Sequence, residues 1–362
     1  MSTSALSLSV LDLIPVRTSQ SSAEAIAAAV HLAQSADRLG YTRYWVAEHH
    51  NMQAVASTNP PVLIGILAAQ TERIRVGSGG VMLPNHSPLV IAEQFGILEA
   101  AFPGRIDLGL GRAPGSDPMI TALLRSSGAV SEVDAFPRNI ADIAALLHPD
   151  GALLSLTSGQ DYTLHATPAA TGMPEIWLLG SSDYSARLAA RQGMPYVFAN
   201  HFAGDGTTAA LELYRRGFTP SETLDAPRTI LTLNVSVAET RVEALALALP
   251  QMQQMARLRS GLPLGPLATV EEAAAAPMAP ALLQMIERMA AAWIIDEPGA
   301  AAARIRALAA KFGVDEVMLQ PIASAHTGAD AATAPGRART LELLAAELFT
   351  GEQLAAEELA AV

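Results

Sequence analysis

The sequence contains no cysteine, which excludes disulfides, thiolate metal sites and cysteine nucleophiles together. Charged residues are also scarce, at 16% of the chain, and they lean acidic, with a net charge of -12 and a pI near 5.1. Nucleic-acid and anionic-membrane surfaces need clustered Lys and Arg, so neither partner is expected. No segment reaches the length of a membrane span, and Met1 to Ser9 lacks a basic region followed by a long apolar core. The expectation is a soluble, cytoplasmic protein. No metal-spaced His/Asp cluster occurs, so no metal is expected. What the chain has instead is apolar bulk. Half of its 362 residues are hydrophobic, enough for a sizeable core and too many for wholesale disorder.

The apolar residues fall into alternating β and α patterns. Leu6 to Leu13 reads as a first strand stopped by Pro15, and Ser21 or Ser22 can cap the following helix, with Glu24 in its first turn and Gly40 at its end. Tyr44-Trp45-Val46, Ile74 to Val76 and Ile106 to Leu110 are the next strands, separated by helices from Asn59 to Gln70 and from Pro88 to Ala101. A helix from Glu132 to Leu147 and a hairpin around Tyr162-Thr163-Leu164 lengthen the next connection, and they read as an insertion on the mouth side or a flap. Strands at Ile176 to Leu179, Tyr196 to Asn200, Thr229 to Val237 and Glu316 to Leu319 complete eight. Helices from Tyr184 to Gln192, from Thr207 to Arg216 and from Arg337 to Phe349 pack among them. The reading is an α/β chain, a (β/α)8 TIM barrel with insertions after strands 4 and 7, forming one domain over residues 1–362. In the second insertion, Gly261-Leu262-Pro263-Leu264-Gly265-Pro266 reads as a loop over the mouth and a candidate mobile lid. Gly109, Gly111 and Gly115 come close to a dinucleotide fingerprint but follow the fourth strand rather than the first.

Polar residues collect just beyond several strand ends, where a barrel carries its active site. Glu48-His49-His50 follows the second strand. Adjacent side chains on an extended segment point to opposite sides, so the two histidines do not share a metal; one could simply hydrogen-bond in the core, and His49 is the candidate for handling a proton. Gly79-Gly80 is either a tight turn or bare backbone against which a flat ring could lie, and the pair permits a non-proline cis peptide. Gly180-Ser181-Ser182-Asp183-Tyr184-Ser185 opens a helix. Its N–H groups and the hydroxyls of Ser181, Ser182 and Ser185 suit a phosphate, although ordinary capping by Ser182 or Asp183 explains the pattern equally. Arg112 could supply the positive charge, and His86, Asn200 and His201 stand on the same rim.

Five blocks carry a resemblance: Ser9-Val10-Leu11-Asp12 with Pro15, Tyr44 through Asn51, Val76 through His86, Gly104 through Gly115, and Ala199-Asn200-His201-Phe202. In their order and spacing the chain resembles the bacterial-luciferase-like, FMN-dependent oxidoreductases, in particular their single-subunit, alkanal-monooxygenase-like branch. The resemblance implies a barrel that binds FMN at its mouth. Gly79 and Gly80 would form a cis-peptide bulge beneath the ring system, Ser181, Ser182 and Ser185 with Arg112 would hold the phosphate, and His49 would take the catalytic histidine position. Glu48, His50, His86, Asn200 and His201 would shape the flavin or substrate pocket. It further implies a monooxygenase that takes reduced FMN from a separate NAD(P)H:flavin reductase, forms a flavin C4a-peroxide with dioxygen and oxidises a small, apolar organic substrate, in a homodimer. A flavin or deazaflavin (F420) dehydrogenase and a non-catalytic flavin-binding protein share the same frame, and a flavin-free barrel hydrolase is a further rival. Trp293-Ile294-Ile295-Asp296-Glu297-Pro298 and the Ala-rich stretch from Gln320 to Thr333 depart from the family pattern, which bears on substrate and lid rather than on the flavin site.

Overall fold

The structure, a computed structural model, describes residues 6–113, 115, 118–125, 133–155 and 158–349. Its strands are β1 (Ser7–Asp12), β2 (Arg43–Val46), β3 (Arg75–Ser78), β4 (Val81–Met82), β5 (Ile106–Gly111), β6 (Ala152–Ser155), β7 (Asp161–Leu164), β8 (Glu175–Gly180), β9 (Tyr196–Phe198), β10 (Thr229–Val237), β11 (Ile294–Asp296) and β12 (Glu316–Pro321). Eight of them, β1-β2-β3-β5-β8-β9-β10-β12, pair in parallel in that order, and β12 pairs back onto β1 through Ser7↔Glu316 to Val10↔Leu319, closing the barrel. Two short strands extend this ring. β4 carries the line of β3 onward to meet the end of β5, and β11 adds to the last three residues of β10.

The helices are α1 (Ser22–Arg38), α2 (Pro60–Ala68), α3 (Pro88–Ala101), α4 (Pro118–Arg125), α5 (Phe136–Leu147), α6 (Asp183–Gln192), α7 (Asn200–Ala203), α8 (Thr207–Arg216), α9 (Arg241–Arg259), α10 (Val270–Ala275), α11 (Pro280–Ala292), α12 (Pro298–Phe312) and α13 (Pro335–Leu348). Local sequence explains many of their ends. Ser21 and Glu24 form a reciprocal capping box at α1, and Asn59 accepts from the Val62 N–H ahead of two prolines in α2. Gly193 and Gly313 close α6 and α12 in the left-handed conformation.

Strands β5 and β10 are buried along their whole length, as parallel strands covered on both faces must be. Leu11, Trp45, Trp177, Val197, Ile230 and Met318 fill the inside of the barrel, with the two indoles meeting edge to face at 5.6 Å. Below them, at the N-terminal ends of the strands, Arg43 bridges Asp107, Glu175 and Glu316, and Asp107 also holds Arg75 and the Trp45 indole N–H. The bottom of the barrel is thus plugged by a paired charge network, and the C-terminal mouth is left for chemistry.

Two parts of the first insertion differ from the sequence reading. The hairpin β6–β7 is present, but it follows α5, which runs back against the strand direction to reach the start of β8. Ala166 N–H donates to the Leu146 carbonyl at the end of α5, and Gly172 sits against Glu99 near the start of β5. The hairpin therefore lies toward the closed end, and it is no flap over the mouth. The helix expected from Glu132 begins at Phe136, after a short 3-10 turn at Val133–Ala135; Glu132 itself, Pro114 and the tail after Gly351 lie outside the described residues. No helix among the described residues is long and apolar enough to cross a membrane.

Candidate functional site at the barrel mouth

A cavity of about 620 Å³ opens at the C-terminal ends of the strands. Its floor is Gly79-Gly80, joined by a cis peptide bond between β3 and β4. The need for glycine comes from below the floor. A Cβ on Gly80 would meet the Gly109 carbonyl oxygen at 2.7 Å and Leu179 at 2.5 Å, and one on Gly79 would meet Leu11 at 2.8 Å. Any side chain at these positions would collide with the barrel interior.

On one side of the cavity β8 ends in Gly180, and Ser181, Ser182 and Ser185 line the wall at the start of α6. Ser182 is the N-cap residue in extended conformation, yet its side chain makes no capping hydrogen bond. Simple capping is therefore not what this serine does, and the helix N-terminus presents itself to the cavity. Asp183 points away. Its carboxylate is largely exposed and 4.0 Å from Arg187, one turn along. Arg112, leaving β5, also lines the wall, and its guanidinium carbon lies 3.9 Å from the centroid of the Tyr184 ring.

Across the floor stand His49 and His201. Burial pushes the His49 imidazole below the usual histidine value, only partly offset by a backbone contact at Gly115 and the Glu48 charge. Burial, with His49 nearby, takes His201 down to about 4. Both are neutral at neutral pH. His201 Nδ1 lies 2.9 Å from the Thr232 hydroxyl, which also reaches the Phe198 carbonyl, so the ring is held with Nε2 turned away from that contact.

Glu48, His50 and His86 come together just behind the wall rather than on it. The fully buried Glu48 carboxylate accepts from His50 Nε2 and His86 Nε2, both at 2.9 Å, and from the Met82 N–H at 2.8 Å. Burial pushes its pKa up, but these donors outweigh burial and hold it at about 2. The cluster pins the segment after the cis peptide. Asn200 likewise stays off the cavity surface, donating to the Thr232 carbonyl and accepting from the Thr207 hydroxyl. Adjacent His49 and His50 do face opposite ways, as an extended segment requires.

Some residues in and behind the cavity wall escape a sequence reading. Tyr184 looks like any helix residue, and its stack on Arg112 is visible only once β5 and β8 are neighbours. Asp12 and Arg337 form a buried ion pair across 325 residues of sequence. The Pro/Gly loop contributes Leu264, but it is tied down: Gln254 Nε2 donates to the Gly265 carbonyl, and Leu267 pairs with Val16 and Thr18 beside it.

The sequence profile of the luciferase-like monooxygenases matches residues 6–316. The chain belongs to that family. A luciferase-like monooxygenase of Escherichia coli (strain K12) is 46% identical over 264 residues, covering 72% of this chain and 75% of that protein. Among solved structures, apo-MsnO8 superposes with a TM-score of 0.82 at 33% identity, covering 96% of this chain and 98% of that one. At 19% identity and a TM-score of 0.67, the oxygenating constituent of 3,6-diketocamphane monooxygenase from the CAM plasmid of Pseudomonas putida, solved in complex with FMN, shares the fold over 95% of this chain and 98% of its own. This chain is accordingly an enzyme of the luciferase-like monooxygenase family, built on a TIM barrel.

Proposed function

We propose that this luciferase-like protein is an FMN-dependent monooxygenase that uses reduced FMN and dioxygen to oxidise a small, largely apolar organic substrate. The observation that carries the reading is the pairing of Arg112 with the uncapped N-terminus of α6 at one side of a cavity whose floor is two glycines. A planar ring with a phosphate-bearing arm fits that arrangement. Ser181, Ser182, Ser185 and the α6 N–H groups would take the phosphate oxygens, and Arg112 would balance the charge. Reduced FMN would supply the electrons by which one oxygen atom reaches the substrate and the other leaves as water.

The chain's own residues then have three tasks. Leu11 and Leu179, against the Gly79-Gly80 floor, keep water from the reacting end of the cavity, and Leu264 and Leu267 line its other wall. His49, neutral and buried, can accept a proton at one imidazole nitrogen and return it. His201, held by Thr232, turns its other ring nitrogen from that contact toward the same space. A separate NAD(P)H:flavin reductase would deliver the reduced cofactor, and the protein would act as a homodimer.

The test is anaerobic titration with oxidised and reduced FMN, followed by admission of oxygen in the presence of a panel of apolar substrates. Tighter binding of reduced FMN, with oxygen consumed in step with product, supports the reading. Substrate oxidation without oxygen uptake would replace it by a dehydrogenase, and no binding of either flavin form would remove FMN from the site.

A further inference from the structure

The phosphate side of the cavity uses one arginine, yet three line it. Arg17 follows β1 and Arg337 opens α13 after β12, so both stand half-way round the eight-strand ring from β5 and β8, where Arg112 and the serines sit. An anion held by these two is therefore not the one held at α6. Arg337 is nine-tenths buried and donates to Asp12 Oδ1 at 2.5 Å. That carboxylate is fully engaged, since it also accepts from the Ile14 N–H and the Tyr44 hydroxyl. Arg17 reaches only neutral oxygens, donating to the carbonyls of Thr333 at 2.9 Å and Asp330 at 3.1 Å, and it makes no ion pair among the described residues. Asp330 lies near Arg17, but its carboxylate takes the Ala332 N–H and does not line the cavity. Among the described side chains lining this wall, Asp12, Arg17 and Arg337 therefore carry one more positive charge than negative. Burial and the neighbouring Arg337 push the Arg17 guanidinium below its usual value, with Asp330 offsetting them only in part, and an anion placed there would add to that offset.

The surroundings say what carries the anion. Beside Arg17 the wall continues as Met255, Leu258, Leu264 and Leu267, with Leu267 hydrogen-bonded to Val16 and Thr18 on either side of the arginine. We propose that Arg17, backed by Arg337, is an anion subsite that takes the carboxylate of an amphiphilic substrate, with its apolar body along the α9 and Leu264–Leu267 wall and its far end over the Gly79-Gly80 floor. The inference rests on the monooxygenase reading only for the statement that this far end is the one oxidised. Arg17 orients the substrate and takes no part in the chemistry.

The experiment measures binding of octanoate and of octanamide, equal in chain length but uncharged, to the cofactor-free chain by calorimetry. FMN affinity is measured separately by fluorescence quenching. Octanoate should bind about tenfold or more tightly than octanamide, the range expected for a charge-assisted contact. The preference should shrink as salt rises from about 50 to about 500 mM. Arg17→Met should abolish the preference while keeping FMN affinity, whereas Arg112→Met should keep the preference. Equal binding of the two probes by the wild type, or a preference lost in Arg112→Met but kept in Arg17→Met, would overturn the subsite. The wild-type comparison stands even if a variant fails to fold. Failure of FMN to bind would overturn the parent reading while the octanoate preference still decides this one.

Discussion

The Arg112 guanidinium lies over the Tyr184 ring, 3.9 Å from its centroid, and so a loop after β5 is tied to the first turn of α6. The contact holds a positive charge beside open helix N–H groups without using a carboxylate that would cancel it. Arg112→Met is expected to weaken FMN binding by about 10- to 100-fold, the range of a charged hydrogen-bonded contact. Tyr184→Leu, which removes only the stack, should cost about two- to fivefold. Flavin fluorescence quenching measures both, and unchanged affinity in the first variant would take Arg112 out of the phosphate site.

His49→Ala should leave FMN affinity within about twofold of wild type while lowering oxygenated product by about 10²-fold or more, the usual scale of a positioned acid or base. Oxygen uptake that continues without product would show the loss at the proton-handling step. Undiminished product formation would remove His49 from catalysis.

Glu48 has its pKa held at about 2 against an ordinary value of 4.5, so the folded state favours its charged form. The stabilisation is fully present above pH 4.5 and is lost as pH falls from there through 2, on the order of a few kcal/mol in all. Glu48→Gln has no such proton to take up. The gap in urea midpoint between wild type and Glu48→Gln should therefore be wide at pH 6 and narrow steadily below pH 4.5. A gap that stays constant with pH would contradict the assignment.

Gly80→Ala should destabilise more than Gly79→Ala. The new Cβ at 80 meets a backbone carbonyl oxygen, which cannot step aside, whereas at 79 its first contact is the tip of the Leu11 side chain. Overpacking of this kind costs about 1–3 kcal/mol, with Gly80→Ala at the upper end. Urea unfolding of the two variants checks the order.

Exposed apolar residues gather on two adjacent helices: Val62 and Ile66 on α2, and Leu89, Val90 and Ile97 on α3. Light scattering on the eluting protein should give a dimer mass for wild type and a monomer mass for Val62→Glu combined with Val90→Glu, with FMN affinity retained. A wild-type monomer would end the homodimer proposal.

The sequence by itself determined the local units of this protein. Glycines and prolines at helix ends, the Ser21 and Glu24 cap, and runs such as Ile106 to Leu110 are decided by neighbours a few residues away, and each appears in the structure within a few positions of where the sequence puts it. The eight strands, the opposite facing of His49 and His50, and the gathering of Arg112 with Ser181, Ser182 and Ser185 at one mouth follow from those units and from strand-end geometry, whereas two adjacent glycines only permit the cis peptide found at Gly79-Gly80. Tertiary structure alone decided which polar groups meet. Glu48 becomes the acceptor between His50 and His86 because β2 and β4 close on it, which takes all three off the cavity surface. The hairpin moved to the closed end because α5 must run back to reach β8. Arg337 reaches Asp12, and Arg17 stands beside that pair with no ion pair of its own among the described residues, only because the ring closes β12 onto β1 and brings together residues from the two ends of the chain.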